Sequence, residues 1–356
     1  MAYTTINKSS DHFNTKLYTG NGTAIGSGGQ AITGVGFQPD WTWIKNRSAD
    51  QNHSLTDSVR GVTKTIRSDV TTAETTDSEG QTAFGSDGFT VGSEAKVNGS
   101  GNSIVAWNWK AGTTGSGTTT GSGTGKAYSY SVNTTAGFSI VKWVGNGTSG
   151  HTVPHHLGTT PQVVIMKNLD NAVTWIVGHK SIGFNKIIFL DTNAVASTDS
   201  NAFADTDPTS TVWTMGTGNG GNDNDVNYIG YIFSERKGYS NFGSYKGKGN
   251  ANGPFVYTGF KPACVIIKGA VSGDGNAAQN WEIYDNKRDG YNGFNDALFP
   301  STSATESVED RVDLLSNGFK IVVNSDGVND NASTYIYMAW AENPFVSGNF
   351  VPGTAR

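Results

Sequence analysis

One short pattern occurs three times and limits what this chain can fold into. It reads Gly36-Phe37-Gln38-Pro39, then Asp40-Trp41-Thr42-Trp43-Ile44-Lys45. It returns as Gly158-Thr159-Thr160-Pro161, then Gln162-Val163-Val164-Ile165-Met166-Lys167, and as Gly259-Phe260-Lys261-Pro262, then Ala263-Cys264-Val265-Ile266-Ile267-Lys268. Pro precedes Lys by six positions each time (45 − 39, 167 − 161, 268 − 262). Glycine admits a positive φ, and proline starts an element that needs no N–H at that point. The residues before the Lys are rich in β-branched and aromatic types, which suit a pleated, half-buried surface. The pattern therefore reads as a turn feeding a strand.

The repeats extend beyond this core. An aromatic residue followed by a glycine turn precedes each copy: Tyr18 to Thr23, Trp143 to Thr148, and Tyr245 to Asn250. Asn-Gly is a strong hairpin signal, because both positions tolerate φ > 0. Downstream come a second strand ending in glycine (Gly61, Gly183, Gly290) and an aromatic closing strand around Trp107, Tyr231 and Trp340. Asp57 and Asp285 recur between the first and third copies, with Gly178 or His179 in the second. The three Lys are 122 and 101 residues apart (167 − 45, 268 − 167), and a tract of Gly, Ser and Thr accounts for most of the difference.

Charged residues are 15 % and aromatics 11 % of the chain, the reverse of a disordered composition. Short aromatic runs cut by Gly, Asn, Asp and Ser predict an all-β fold. We read three tandem antiparallel β-sandwich domains, jelly-roll-like, at 1–111, 127–236 and 237–356, with 112–126 a flexible Gly/Ser/Thr linker. The third domain includes a C-terminal tail. The short joint near Glu235-Arg236-Lys237-Gly238 predicts that the second and third domains pack together while the first is tethered loosely. Glu306 to Leu315 is the best candidate helix, of a turn or two.

Net charge is −5, with basic residues scattered, which leaves no footprint for nucleic acid or an anionic membrane. No apolar run approaches the length needed to span a bilayer, and Met1 to Thr5 has no signal-peptide pattern, so synthesis in a cytoplasm is expected. The single cysteine, Cys264, permits no internal disulfide and reads as a small buried hydrophobe.

Candidate sites are sparse. Gly125-Lys126 invites a phosphate-loop reading, but Thr120 stands where the loop needs Gly and Ala127 where it needs Ser or Thr. His151, His155 and His156 cluster in one loop, yet Pro154 forbids the helix that would align an i, i+4 pair on a metal. With Asn222 they are the candidate surface-binding residues. Oxygen-rich loops place Asp223, Asp225, Asp326 and Asp330 as calcium candidates, although Asn, Asp and Gly also serve plain turns. The repeated Lys45, Lys167 and Lys268 read as strand-end lysines snorkelling to a sheet rim. The nine tryptophans exceed what three small cores need, so some are expected on a surface for sugar stacking or an interface. No catalytic set is present, and no cofactor beyond calcium is implied.

The combination of Tyr18 to Thr23, Gly36 to Asp40, Trp43 to Ser48, Asp57 to Gly61, Ser86 to Thr90 and Val105 to Lys110 resembles a repeat of unknown function. That repeat is found in virion proteins of tailed phages, many of them marine, usually tail- or fibre-like. The similarity is dense in the first copy and looser in the other two. It implies a structural or adhesive virion component, commonly a homo-oligomer, with a trimer the usual symmetry. The expected function is tail fibre or receptor-binding part. The alternatives are a capsid decoration or head-fibre protein, and a virion-associated carbohydrate-active enzyme. Partners would be other virion proteins and a host surface glycan or receptor. The resemblance brings no catalytic residues.

Overall fold

A computed structural model describes residues 3–218, 220–273, 278–288, 292 and 295–346. The fold is all-β and antiparallel, and its α-helices among the described residues are three single turns of four residues. The chain runs three times through the same strand order. Each pass has an opening strand (Phe13–Thr19, Phe138–Val144, Ser240–Lys246) and a second strand that carries the Lys (Trp41–Asn46, Val163–Asn168, Phe260–Val271). A third strand follows (Ser54–Asp57, Ile176–His179, Glu282–Asp285), and then a closing strand (Ser103–Trp109, Asn227–Phe233, Thr334–Pro344). In space the order is opening, closing, second, third in every pass. The registers agree as well. Trp41 faces Asp57, Val163 faces His179, and Cys264 faces Asp285, so these residues occupy one equivalent position.

Each pass adds a smaller sheet over one face of this inner sheet. In the first it is Gln30–Thr33, Gly88–Val91 and Gln81–Gly85; in the third, Phe255–Tyr257, Gly318–Ile321 and Val312–Leu315. The second uses Thr120–Gly121, His151–Pro154 and Val212–Met215. A separate hydrophobic cluster fills the space inside each pass, for example Ile32, Phe37, Ile44, Phe89, Val91 and Ile104 in the first.

The opposite faces of the three inner sheets meet one another. A single apolar cluster draws on all three, from Phe13, Trp41 and Trp109 through Phe138, Tyr231 and Phe233 to Phe242, Ile266 and Trp340. Trp109, Phe233 and Trp340 are equivalent residues, facing Phe13, Phe138 and Ser240 across their sheets. Their rings form a closed triangle, with centroids 6.5 Å (Trp109–Phe233), 5.3 Å (Trp109–Trp340) and 5.3 Å (Phe233–Trp340) apart. Three equivalent side chains in mutual contact lie on an axis that relates the passes, so the single chain builds a ring with pseudo-threefold symmetry. Trp41 of the first pass also stacks on Tyr231 of the second, 4.2 Å apart at 15°. Such ring pairs contribute about 0.5–1.5 kcal/mol each beyond the area they bury.

Several expectations are corrected. The 112–126 tract is not a flexible coil: Thr113–Thr118 pairs along its length with Ala127–Asn133, which extends the second inner sheet by two strands. Tyr130 and Tyr128 lie over Gly115 and Gly117, so a Cβ there would come within 2.6 Å and 2.8 Å of a hydroxyl. Aromatic rings cover the glycines that alone would make a weak strand. The first pass is not loosely tethered, because its tryptophans are central to the shared core. The Glu306–Leu315 segment is not helical and ends in the Val312–Leu315 strand. All nine tryptophans are buried, so none forms a surface platform. Cys264 is buried and free, and burial raises its thiol pKa well above the usual value.

Truncating Trp340 to Ala opens a cavity at the meeting point of all three passes. It is expected to cost about 3–5 kcal/mol. Chemical denaturation followed by fluorescence and by far-UV dichroism should give one coincident transition, shifted as a whole; separate transitions for the passes would contradict the shared core.

Candidate functional site

The repeated chemistry of the sequence lies in the seams between passes. Lys45, Lys167 and Lys268 are each wholly buried. Lys45 Nζ donates to the carbonyls of Asn46, Gln51 and Ser303, each at 2.8 Å. Lys167 Nζ donates to Val173 O at 2.6 Å and to Thr71 O at 2.9 Å. Lys268 Nζ donates to Gln279 O at 2.7 Å and to Asn193 O at 2.9 Å. In each set one carbonyl belongs to another pass: the first pass reaches the third, the second the first, and the third the second. This head-to-tail sense closes after three steps, as a heterologous ring must. The expectation of rim lysines is therefore corrected. An ammonium, with its several N–H donors, suits a pocket of backbone carbonyls. Burial pulls the lysine pKa values down to about 8 for Lys45 and Lys167 and about 7 for Lys268.

A second layer repeats the same direction. His53, Trp175 and Trp281 are equivalent, each two residues before the residue that faces Trp43, Ile165 or Ile266. Trp175 Nε1 donates to Arg67 O, Trp281 Nε1 to Phe189 O (both 2.8 Å), and His53 Nε2 lies 3.0 Å from Phe299 O. The acceptors are again equivalent, four residues before the lysine acceptors Thr71, Asn193 and Ser303.

The recurring acids close a third layer. Asp57 is paired with Arg60 at 2.5 Å and accepts from Tyr231 Oη of the second pass at 2.8 Å. Asp285 is paired with Arg288 at 2.8 Å and accepts from Trp107 Nε1 of the first pass at 3.0 Å. Burial pushes the Asp285 carboxyl up, but the Arg288 guanidinium and two backbone N–H groups outweigh it and hold it below the ordinary range. In the second pass His179 takes the same place, its Nε2 3.3 Å from Tyr337 O of the third. A neutral imidazole replaces the Asp–Arg pair there, so the seam stays satisfied without charge. Arg47 adds a fork onto Glu306 across the first and third passes, at 2.5–3.0 Å.

The residues singled out as surface-binding candidates are mostly internal. His151 is buried, with Nδ1 2.8 Å from Asn222 Oδ1 and Nε2 2.6 Å from Thr119 Oγ1. His155 is buried, accepting from Leu157 N–H at Nδ1 and lying 3.2 Å from Thr209 O at Nε2. His156, in a left-handed backbone conformation (φ 59°), is half-buried and stacks on Tyr130 with centroids 3.7 Å apart. Asn222 is a clamp, equivalent to Asn98 and Asn329. The three side-chain oxygens accept from the N–H of Asn21, Asn146 and Lys248, at 2.8–3.0 Å. Their amides donate to the carbonyls of Gly92, Gly216 and Val323, at 2.6–2.7 Å. The clamp fixes the glycine turn that the sequence marks in every copy. At Gly20, Gly145 and Gly247 a Cβ would sit within 2.3 Å of a carbonyl oxygen, so no other residue fits.

The calcium candidates are not drawn together. Asp225 pairs with Lys126 at 2.5 Å and is largely exposed. Asp223 belongs to the same turn, and its backbone N–H is held by Tyr228 Oη at 2.9 Å. Asp326 opens a single helical turn, and Asp330, buried, accepts from Ser333 Oγ. Asn219, beside the first pair, lies outside the described residues, as does 274–277. No group of three or more His, Cys, Asp or Glu that could hold a metal occurs among the described residues. Among them, too, no helix is long and apolar enough to cross a membrane.

A family model described as a domain of unknown function, DUF7483, matches residues 8–344, and the chain belongs to that family. The match spans all three passes. No curated protein and no solved structure matches the chain.

Two outcomes follow from the seams. Replacing Lys45, Lys167 or Lys268 by Met keeps the stem and leaves the carbonyls without their donor. Each variant should lose about 3 kcal/mol, since an unpaired buried polar group costs about 1–3 kcal/mol. Near-equal losses on denaturation would match the equivalence, and no loss at all would contradict it. Acid acts on the buried histidines. Burial is the main cause that lowers His53 to about 3, and His155 and His179 to about 4. In each, Nδ1 accepts from an N–H (Trp43, Leu157, Ser181), so protonation there would set donor against donor. The unfolded chain takes up these protons near pH 6.5 and the folded chain does so only near pH 3–4. Their stabilisation is therefore full above pH 6.5 and is lost as pH falls toward 4. The melting temperature should drop between pH 7 and pH 4.5, and a flat profile would contradict the assignment.

Proposed function

We propose that the chain is a structural component of a phage virion, exposed on the particle surface as a tail-fibre or receptor-binding part. The observation that carries this reading is how the repeated polar residues are used. The lysines, clamp asparagines and indoles of all three passes, with the Asp–Arg pairs of the first and third, close seams and turns. The recurrent chemistry of the sequence thus goes into building a rigid ring of sandwich-like, jelly-roll-related units. A non-catalytic adhesive or scaffolding role fits such a ring, and the resemblance to tail and fibre-like virion proteins points the same way. Any ligand would then be bound where the passes differ, with a host surface glycan or receptor and other virion proteins as the partners.

A second reading, a capsid decoration or head-fibre protein, is favoured by one feature. The ring closes on itself and gives a compact block with internal threefold character, which suits a threefold position on a shell. The homo-oligomer implied by the resemblance, with a trimer its usual symmetry, would be an association of whole rings, each already made of three equivalent units.

Mass spectrometry of purified virions with copy counting tests both. A few to a few tens of copies per particle are expected for a tail component, and hundreds for a decoration protein. Absence of the chain from purified particles would overturn the virion reading, and release of reducing ends from host glycan by the pure protein would overturn the non-enzymatic one.

A further inference from the structure

The three inner sheets share one strand order and differ at their edges: the second continues past its third strand into Lys186–Phe189 and Ser197–Thr198, and the difference at the opening-strand edge marks a docking surface. The opening strand ends the first and third inner sheets but not the second. Which of its N–H groups turn outward follows from the flanking bonds. Gly20 N–H donates to Asn102 O and Lys110 N–H to His12 O, both at 2.9 Å, so the even-numbered residues of Phe13–Thr19 face the closing strand. The N–H and C=O groups of Phe13, Thr15, Leu17 and Thr19 therefore turn away from it. By the same argument the Gly145-to-Val226 bond turns Phe138, Ile140, Lys142 and Val144 outward in the second pass. There the Ala127–Asn133 strand pairs with them, with Ser131 opposite Ile140 and Ser129 opposite Lys142. In the third pass the Gly247-to-Ser333 bond turns Phe242 outward, and its N–H donates to Glu235 Oε1 at 3.0 Å. One edge is filled by a strand and one is capped at its start by a carboxylate. Among the described residues the first ends its sheet, capped only at its far end, where Gln30 Nε2 donates to Thr19 O at 2.9 Å.

A cleft of about 320 Å³ runs beside that edge, lined by the consecutive residues Asn14, Thr15, Lys16 and Leu17 with Gly34 and Lys287. Lys16 is half-buried and Lys287, from the third pass, is exposed, so two cations face the cleft. Asp87, the acid near Lys16, already accepts from the N–H groups of Gly34 and Gly36, at 2.9 and 2.6 Å.

We propose that the Phe13–Thr19 edge accepts an extended acidic segment of a partner protein, added as a fifth strand to the first inner sheet. Backbone pairing would supply the affinity and Lys16 with Lys287 the selectivity, the mode by which exposed edges take up peptides. Pairing of the kind seen in the second pass fixes the register. The residue opposite Lys16 corresponds to Tyr130, which faces Val141, and an acid at that place meets the Lys16 ammonium. This inference does not depend on the virion reading.

The test uses the full chain and two synthetic peptides. One is Ala-Tyr-Ser-Tyr-Ser-Val-Asn, the sequence of the strand that fills the second edge; the other has Glu in place of its second Tyr. Amide hydrogen exchange is read with each peptide at millimolar concentration. The acidic peptide should slow exchange at Thr15, Leu17 and Thr19, by about tenfold at ten times its Kd. It should bind more tightly than the neutral one, and Lys16→Glu should remove that preference. Leu17→Pro takes away an outward donor at an edge that tolerates proline, and should abolish the slowing. Should that variant unfold, the Lys16→Glu comparison still decides. No slowing at these amides with either peptide, or an acidic preference that survives Lys16→Glu, would overturn the proposal.

Discussion

The structure depends on a buried ammonium reaching across a seam. A lysine in a protein interior is costly unless its donors are all engaged. In each pass the required acceptors are carbonyls from its own loop and one from another pass. The cationic form is thus satisfied only when the ring is closed. This makes the lysine a register device as well as a bond: it selects the neighbour that brings a carbonyl to the right place. The cluster of aromatic rings on the axis supplies bulk apolar burial, which is non-directional. The lysines, the Asp57 and Asp285 layer and the His53, Trp175 and Trp281 layer supply direction.

Carrying three copies on one chain allows the copies to diverge. His179 stands where the other seams have an aspartate paired to arginine, and the bond across the seam is reversed: its Nε2–H donates to the backbone carbonyl of Tyr337, where the aspartates accept. Among the described residues the strand pair formed by Thr113–Thr118 and Ala127–Asn133 lies on the second pass alone. Ser240 replaces the phenylalanine of the other two opening strands, and the axis retains its triangle because Phe242 packs on Phe233 and Trp340. A symmetric homotrimer could not vary one edge without varying all three.

Much of this was legible in the residues. The Gly-x-x-Pro turn, the aromatic before each glycine turn, the closing strands and the all-β class all follow from local physics, because they are encoded within a few residues. The equivalence of Asp57 and Asp285, with His179 between, was also visible. What was hidden is how the passes relate in space. Alternation along a strand says that one face is buried, and it does not say whether the cover is the same pass or another. Hence tryptophans in apparent excess of three small cores point to a surface, when their cover is the next pass. A lysine at a strand end usually snorkels, so the sequence points to a rim position. The one hint against it was that the same cation recurs at the same offset in all three copies. The glycine-rich tract misled for a related reason: its tyrosine cover lies on the following strand, and composition alone describes a coil.

The central claim is that no pass is complete without the others. Its most direct measurement is made on residues 1–111 produced alone, beside the full chain, by near-UV dichroism and thermal melting. The account predicts a segment without fixed tertiary signal and without a cooperative melt, since Lys45 has lost the Ser303 carbonyl and Trp41 and Trp109 have lost their cover. A segment that melts cooperatively with the tertiary signal of a packed domain would show a self-sufficient unit and contradict it.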